Sequence, residues 1–158
     1  MSGSDVTLGR YATRPGAMSE ATADTGDVLE EKIVTFPDGL PGLPGYERFV
    51  LVEIVEEGVF QRLQSVDDTD VAMYVCVPWL FFPDYAPELT SAEQEDLSID
   101  RPEDALVFCP VTLDPDASRV YVNLLGPFVV NADTRRGRQL VLAGSEYPTR
   151  APIELAAG

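Results

Sequence analysis

The first twenty-seven residues are mostly small or polar, and after them the chain breaks into short apolar runs separated by turn chemistry. "RFVLVEIV" (48–55) is dense in β-branched and aromatic residues and long enough for a strand. "VFQRLQS" (59–65) follows Glu56-Glu57-Gly58, which predicts a hairpin turn. "VAMYVCV" (71–77) is bounded by "DDTD" before it and Pro78 after it. "DALVFCPVTL" (104–113) is a fourth run, in which Pro110 predicts an edge or a bulge. "RVYVNLL" (119–125), "PFVVN" (127–131) and "RQLVLA" (138–143) follow, with "DPDAS" and "ADTRRG" as connecting turns. Short strands at this spacing predict a mainly β chain: a compact antiparallel β-barrel-like single domain, or a sandwich. One short helix is expected at "TSAEQEDL" (90–97), where Thr90 can cap and Glu93 completes a capping box.

Two segments fall outside this rhythm. Residues 1–27 are rich in Ser, Thr, Gly and Ala and read as a disordered tail, leaving residues 28–158 as the folded domain. "FPDGLPGLPGYERF" (36–49) is different, because Phe36, Leu40, Leu43 and Tyr46 stand among its prolines and glycines. Flexible linkers lack such large apolar groups. A phosphate loop would feed a helix and usually carry a lysine, whereas here a strand follows and no lysine is present. The stretch therefore predicts a stiff corner laid against a core, with positive φ at Gly39, Gly42 or Gly45.

Composition narrows the chemistry. The 158 residues suit one domain, and no apolar run reaches the length of a membrane span. The N-terminus has no apolar core of a secretory signal, and the two cysteines, Cys76 and Cys109, lie in apolar runs that suit buried packing in a reducing compartment. Twenty-seven acids against 11 bases give a net charge of −16, which argues against direct nucleic-acid binding. Such acidity either serves solubility or steers a basic protein partner. The chain has no histidine, which removes triad catalysis, imidazole bases and imidazole metal ligands. "DDTD" (67–70) lacks the glycine and distal glutamate of a calcium loop and reads as a turn. No catalytic set, cofactor or metal is expected, so the chain reads as a binding protein rather than an enzyme.

Three stretches are candidate binding surfaces. "VPWLFFPDYAPELT" (77–90) packs Trp79, Phe81, Phe82 and Tyr85 between prolines, either as a plug for the barrel mouth or as partner anchors. From Asp84 to Asp104 eight acids, among them Glu93, Glu95 and Asp96, stand against Arg101 alone, either as a solvated face or as the dock for a basic partner. "NADTRRGRQ" (131–139) gathers Arg135, Arg136 and Arg138, as a charged hairpin tip or a second binding site.

Six motifs, in order and over roughly residues 32–153, carry a family resemblance: "FPDGLPG" (36–42), "LQSVDD" (63–68), "FFPDY" (81–85), "VNLLGPFVVN" (122–131), "TRRGRQLVL" (134–142) and "YPTRAPI" (147–153). Together they resemble the flagellar assembly factor FliW family. Leu43, and "LLGPF" where the family often reads "LLAPI", depart from its pattern. The resemblance implies a compact β-barrel-like fold and a cytoplasmic, non-catalytic protein that binds flagellin. It also implies binding to the RNA-binding translational repressor CsrA, antagonising it, so that flagellin translation is coupled to export. A monomer without direct nucleic-acid or membrane contact is expected. The alternative is a small-molecule-binding β-barrel whose aromatic run lines a cavity.

Overall fold

The computed structural model describes residues 6–8, 33–40, 45–53, 60–114, 119–142 and 145–153. In chain order the strands are β1 (Val6–Thr7), β2 (Val34–Thr35), β3 (Arg48–Glu53), β4 (Phe60–Ser65), β5 (Ala72–Cys76), β6 (Glu88–Leu89), β7 (Ala105–Asp114), β8 (Arg119–Val122), β9 (Phe128–Asn131), β10 (Gly137–Gln139) and β11 (Ala151–Ile153). The helix α1 (Ser91–Leu97) lies between β6 and β7. One antiparallel path runs β2-β3-β4-β5-β7-β9-β10, with β8 branching from β7 and β11 pairing β8. Among the described residues, the ends of the path meet at one parallel bridge between Thr35 and Arg136. The sheet is therefore not closed, and the expected barrel is only approached.

The seven expected strands are all present, with shifts that have local causes. β7 runs straight through Pro110, which lies neither at an edge nor at a strand end. Its first half, Ala105–Phe108, pairs with β9, and its second half, Val111–Asp114, pairs with β8. Cys109 and Pro110 oppose Cys76 and Val75 of β5 at the handover. The Pro110 carbonyl accepts from Asn123 N at 2.9 Å, so the missing N–H falls where neither ladder needs it. The strand expected to run on to residue 143 stops as a regular ladder at Gln139. Beyond it Leu140 N donates to Pro127 O at 2.8 Å, and Pro127 has no N–H to return. β1, β2, β6 and β11 are two or three residues long, too short to leave a periodic signal.

Two apolar clusters occupy opposite faces of β7. Leu106 and Phe108 join Phe36, Phe49, Leu63 and Phe128 on one side. Ala105, Val107 and Cys109 join Trp79, Leu89, Leu97 and Ile99 on the other. Burial on both faces over residues 105–109 explains why this half of the strand reads as a continuous apolar run rather than an alternation. Phe36 lies edge-on to Phe49 and Phe128, with centroids 6.0 and 5.7 Å away. Cys76 and Cys109 are buried opposite each other, and burial pushes the Cys76 thiol up to about 12.

The proline- and glycine-rich stretch behaves as a corner. Phe36 and Leu40 are buried in the core, and Gly39 and Gly45 hold φ of +74° and +91°. Residues 41–44, including Gly42 and Leu43, lie outside the described residues. Tyr46 donates to Asp68 Oδ2 at 3.0 Å, which raises the phenol's pKa and ties the corner to the β4–β5 turn. In that turn Ser65 Oγ accepts from Asp67 N and Asp68 N, and Asp68 Oδ1 accepts from Asp70 N, so "DDTD" is turn chemistry. Within the segment expected to be a disordered tail, β1 pairs with β6 and Leu8 is fully buried. The rest of residues 1–27, and the Glu56–Gly58 turn, lie outside the described residues.

Two glycines set different tests. An added Cβ at Gly39 meets only Tyr46 O at 3.9 Å, so Gly39→Ala should cost about 1 kcal/mol through its positive φ alone. At Gly137 it would sit 2.8 Å from Val129 O and 2.6 Å from Val130 Cγ2. Gly137→Ala should therefore cost more, roughly 2–3 kcal/mol, because backbone must move. Urea denaturation of both variants checks the order, and the reverse order contradicts this packing. A second expectation concerns alkaline pH. A thiol whose pKa is raised on folding keeps its proton in the folded state after the unfolded chain has lost it. Stability should thus hold below the ordinary thiol value of 9.0 and fall as pH rises toward about 12. Cys76→Ala, compared with its own stability at pH 7, should show a shallower fall in denaturation midpoint over that range.

Candidate functional site

The aromatic run divides into an inner and an outer part. Pro78–Leu80 form a 3-10 turn after the extended Val77, with Pro78 at a position that needs no N–H. Trp79 and Tyr85 turn inward and are buried. Trp79 Nε1 donates to Tyr85 O at 2.7 Å, and Tyr85 Oη donates to Leu124 O at 2.6 Å. Burial raises the Tyr85 phenol's pKa, and its ring lies edge-on to Tyr147 at 4.8 Å. These two residues fill the plug role. Phe81 and Phe82 are half-buried against the same cluster, with Phe81 stacked on Phe60 at 5.7 Å. Leu80, between the two sets, is 57% exposed. The outward surface of the run is thus Leu80, Phe81 and Phe82 rather than all four aromatics.

The acidic candidates sit on α1. Thr90 Oγ1 accepts from Glu93 N, and Glu93 Oε1 accepts from Thr90 N at 2.9 Å, completing the expected capping box. Glu93 is therefore occupied in the fold, whereas Glu95 is exposed. Asp96 faces the basic hairpin, with Oδ2 at 3.3 Å from Arg138 and Oδ1 at 3.6 Å from Arg136. The acidic and basic stretches, expected as separate surfaces, adjoin one another.

Asn131, at the end of β9, holds that junction together. Its Nδ2 donates to Leu97 O at 2.8 Å and Ser98 O at 3.0 Å, satisfying carbonyls at the C-terminal end of α1. Its Oδ1 accepts from Asp133 N and Thr134 N, shaping the hairpin turn. Ser98 ends the helix in a left-handed conformation, and Arg135 holds φ of 63° at the hairpin. Arg135 O accepts from Thr35 N at 2.8 Å, and that bond joins the hairpin to β2. Sequence reasoning passed over Asn131 as a functional position. An Asn followed two residues later by Asp-Thr signals a local turn, but its reach to a helix 34 residues earlier leaves no trace in the sequence.

Among the described residues no three Cys, Asp or Glu side chains come together to hold a metal ion. Among the same residues no helix is long and apolar enough to cross a membrane. The arrangement offers contact chemistry: an outward apolar turn, an acidic helix and a basic hairpin.

A match to the FliW protein family spans residues 18–153, which takes in all three surfaces. The chain belongs to the FliW family. The FliW of Moorella thermoacetica, named flagellar assembly factor, is 39% identical over 80% of this chain and 80% of its own length. The FliW of Treponema pallidum is 36% identical over 84% of this chain and 87% of its own. A crystal structure of the flagellar assembly factor FliW superposes with a TM-score of 0.73 at 27% identity, covering 84% of this chain and 92% of that one.

Removing the Asn131 side chain takes a partner from the buried Leu97 carbonyl, the part-buried Ser98 carbonyl and two part-buried turn amides at once. Asn131→Ala should cost about 2–3 kcal/mol. Asp96→Asn, which weakens a partly exposed ion-pair cluster, should cost less than about 1 kcal/mol. Chemical denaturation of the two variants measures the difference. Equal losses would show that charge rather than the Asn131 bonds joins helix to hairpin.

Proposed function

We propose that this FliW-family chain is a flagellar assembly factor that acts as a cytoplasmic partner switch, binding as a monomer to flagellin and to the translational repressor CsrA. While unexported flagellin is abundant it occupies the protein, and CsrA silences flagellin translation. As flagellin is exported the freed protein takes up CsrA and lifts the block. The reading is carried by the family match over residues 18–153 together with relatives named flagellar assembly factors. The chemistry of the molecule supports it. A basic RNA-binding repressor is attracted by a chain of net charge −16, and the exposed acids Glu88, Glu95 and Asp100 flank or lie on α1.

Binding kinetics of the purified chain with purified CsrA test this. Glu88, Glu95 and Asp100 are the acids to reverse, because Glu93 closes the capping box and Asp96 is engaged by arginines. With all three changed to Lys, association should slow at least tenfold at low salt and its salt dependence should flatten. Unchanged association rates at low salt would exclude this face as the CsrA dock.

A further inference from the structure

We infer that Arg62, with Tyr74 and the Phe60–Phe81 stack beside it, is the site where the outward apolar surface captures a carboxylate of flagellin. This inference rests on the flagellin reading above and deepens it by naming the site and the chemistry it selects. Arg62 stands in the middle of β4, directly opposite Val52 on one side and Tyr74 on the other. Opposed residues of an antiparallel pair share a face, so Arg62, Tyr74 and, two residues along, Phe60 lie on one side of the sheet. Phe60 opposes Cys76 and stacks on Phe81 at 5.7 Å, which brings the outward turn at Leu80 against the same end of the strip. Tyr74 at 40% and Leu80 at 57% are, with Val141, the large apolar side chains left most open to solvent among the described residues.

Among the described residues, Arg62 on this strip has no ion-pair partner. The cations of Arg48, Arg101, Arg136 and Arg138 pair with Asp67, Asp104 and Asp96. Arg62 has no ion pair or side-chain hydrogen bond among the described residues, and its Nε is buried without an acceptor. A buried donor left unsatisfied is costly, and a chain of 27 acids could readily have supplied an internal carboxylate. The guanidinium, unpaired among the described residues, beside the exposed Tyr74 and the half-buried Phe60–Phe81 stack, fits a partner segment that presents one carboxylate between apolar residues. Apolar contact then supplies affinity, and Arg62 decides which segments are accepted.

The experiment measures flagellin binding by the full chain and by Arg62→Glu, Arg62→Met and Tyr74→Ala, with melting and sedimentation recorded for each. Arg62→Glu should bind flagellin at least tenfold more weakly and Arg62→Met several-fold more weakly. Arg62→Met should melt at or above the parent temperature, because the buried unsatisfied donor is gone. Tyr74→Ala should weaken binding with little change in melting. If the parent binds flagellin and Arg62→Glu binds equally well, the site is wrong while the flagellin reading stands. If the parent does not bind flagellin, both fall. If the parent sediments as a dimer that Arg62→Glu dissociates, the carboxylate comes from a second copy and the assignment to flagellin is overturned.

Discussion

Strand β7 is buried on both faces over its first half and changes neighbours halfway along its length. Its ten residues must serve β9 first, then β8, while holding β5 at the crossing point. Pro110 makes this division possible, since a residue without an N–H fits where one ladder has ended and the next has not begun. The two apolar clusters are consequences of the same strand. Even-numbered side chains of its first half complete one cluster and odd-numbered side chains the other. The corner at Phe36 and the plug at Trp79 and Tyr85 cap these clusters from opposite sides of the sheet.

From β7 the order propagates to the surface through β9. Asn131 ends that strand opposite Ala105, and its amide reaches both the end of α1 and the hairpin turn. A seven-residue helix is too short to be stable by itself, so α1 depends on its capping box, on Leu97 in the core and on the Asn131 amide. Asp96 with Arg136 and Arg138 adds orientation more than stability, because all three side chains are partly exposed. Acid and base are neighbours on this surface because one buried asparagine sets helix and hairpin side by side.

Legibility in the sequence followed the range of the interactions. The seven strands that lie on apolar runs, the helix with its cap, and the described parts of the corner at residues 36–40 and at Gly45 rest on patterns contained within ten or so residues, and all were readable. Pro110 signalled an edge or a bulge, and nothing local reveals that a strand will exchange partners there. β1 was hidden because two residues carry no periodicity and the surrounding composition is that of a tail. At the candidate site, residue type was legible but orientation was not. Trp79 and Tyr85 differ from Phe81 and Phe82 by hydrogen bonds to main-chain carbonyls, one of them 39 residues away, and that decides which face the core. Nothing in the sequence marks Arg62, and only a buried, unsatisfied Nε combined with the lack of an ion pair among the described residues sets it apart.

The framework also constrains how a partner switch could operate. Tyr74 lies on β5 and Asn131 on β9, and both strands are laddered directly to β7, whose first half is buried on both faces. Close-packed layers of this kind deform little, so a partner seated on the β4–β5 face has no hinge through which to reshape α1. On the proposed reading, mutual exclusion of two partners must then come from overlap of bulky bodies or from charge. Charge alone is a weak means at physiological salt, where the field of exposed acids is screened within about 8 Å. Overlap is therefore the stronger candidate, and it asks only that each partner extend past its own contact patch on a domain this small.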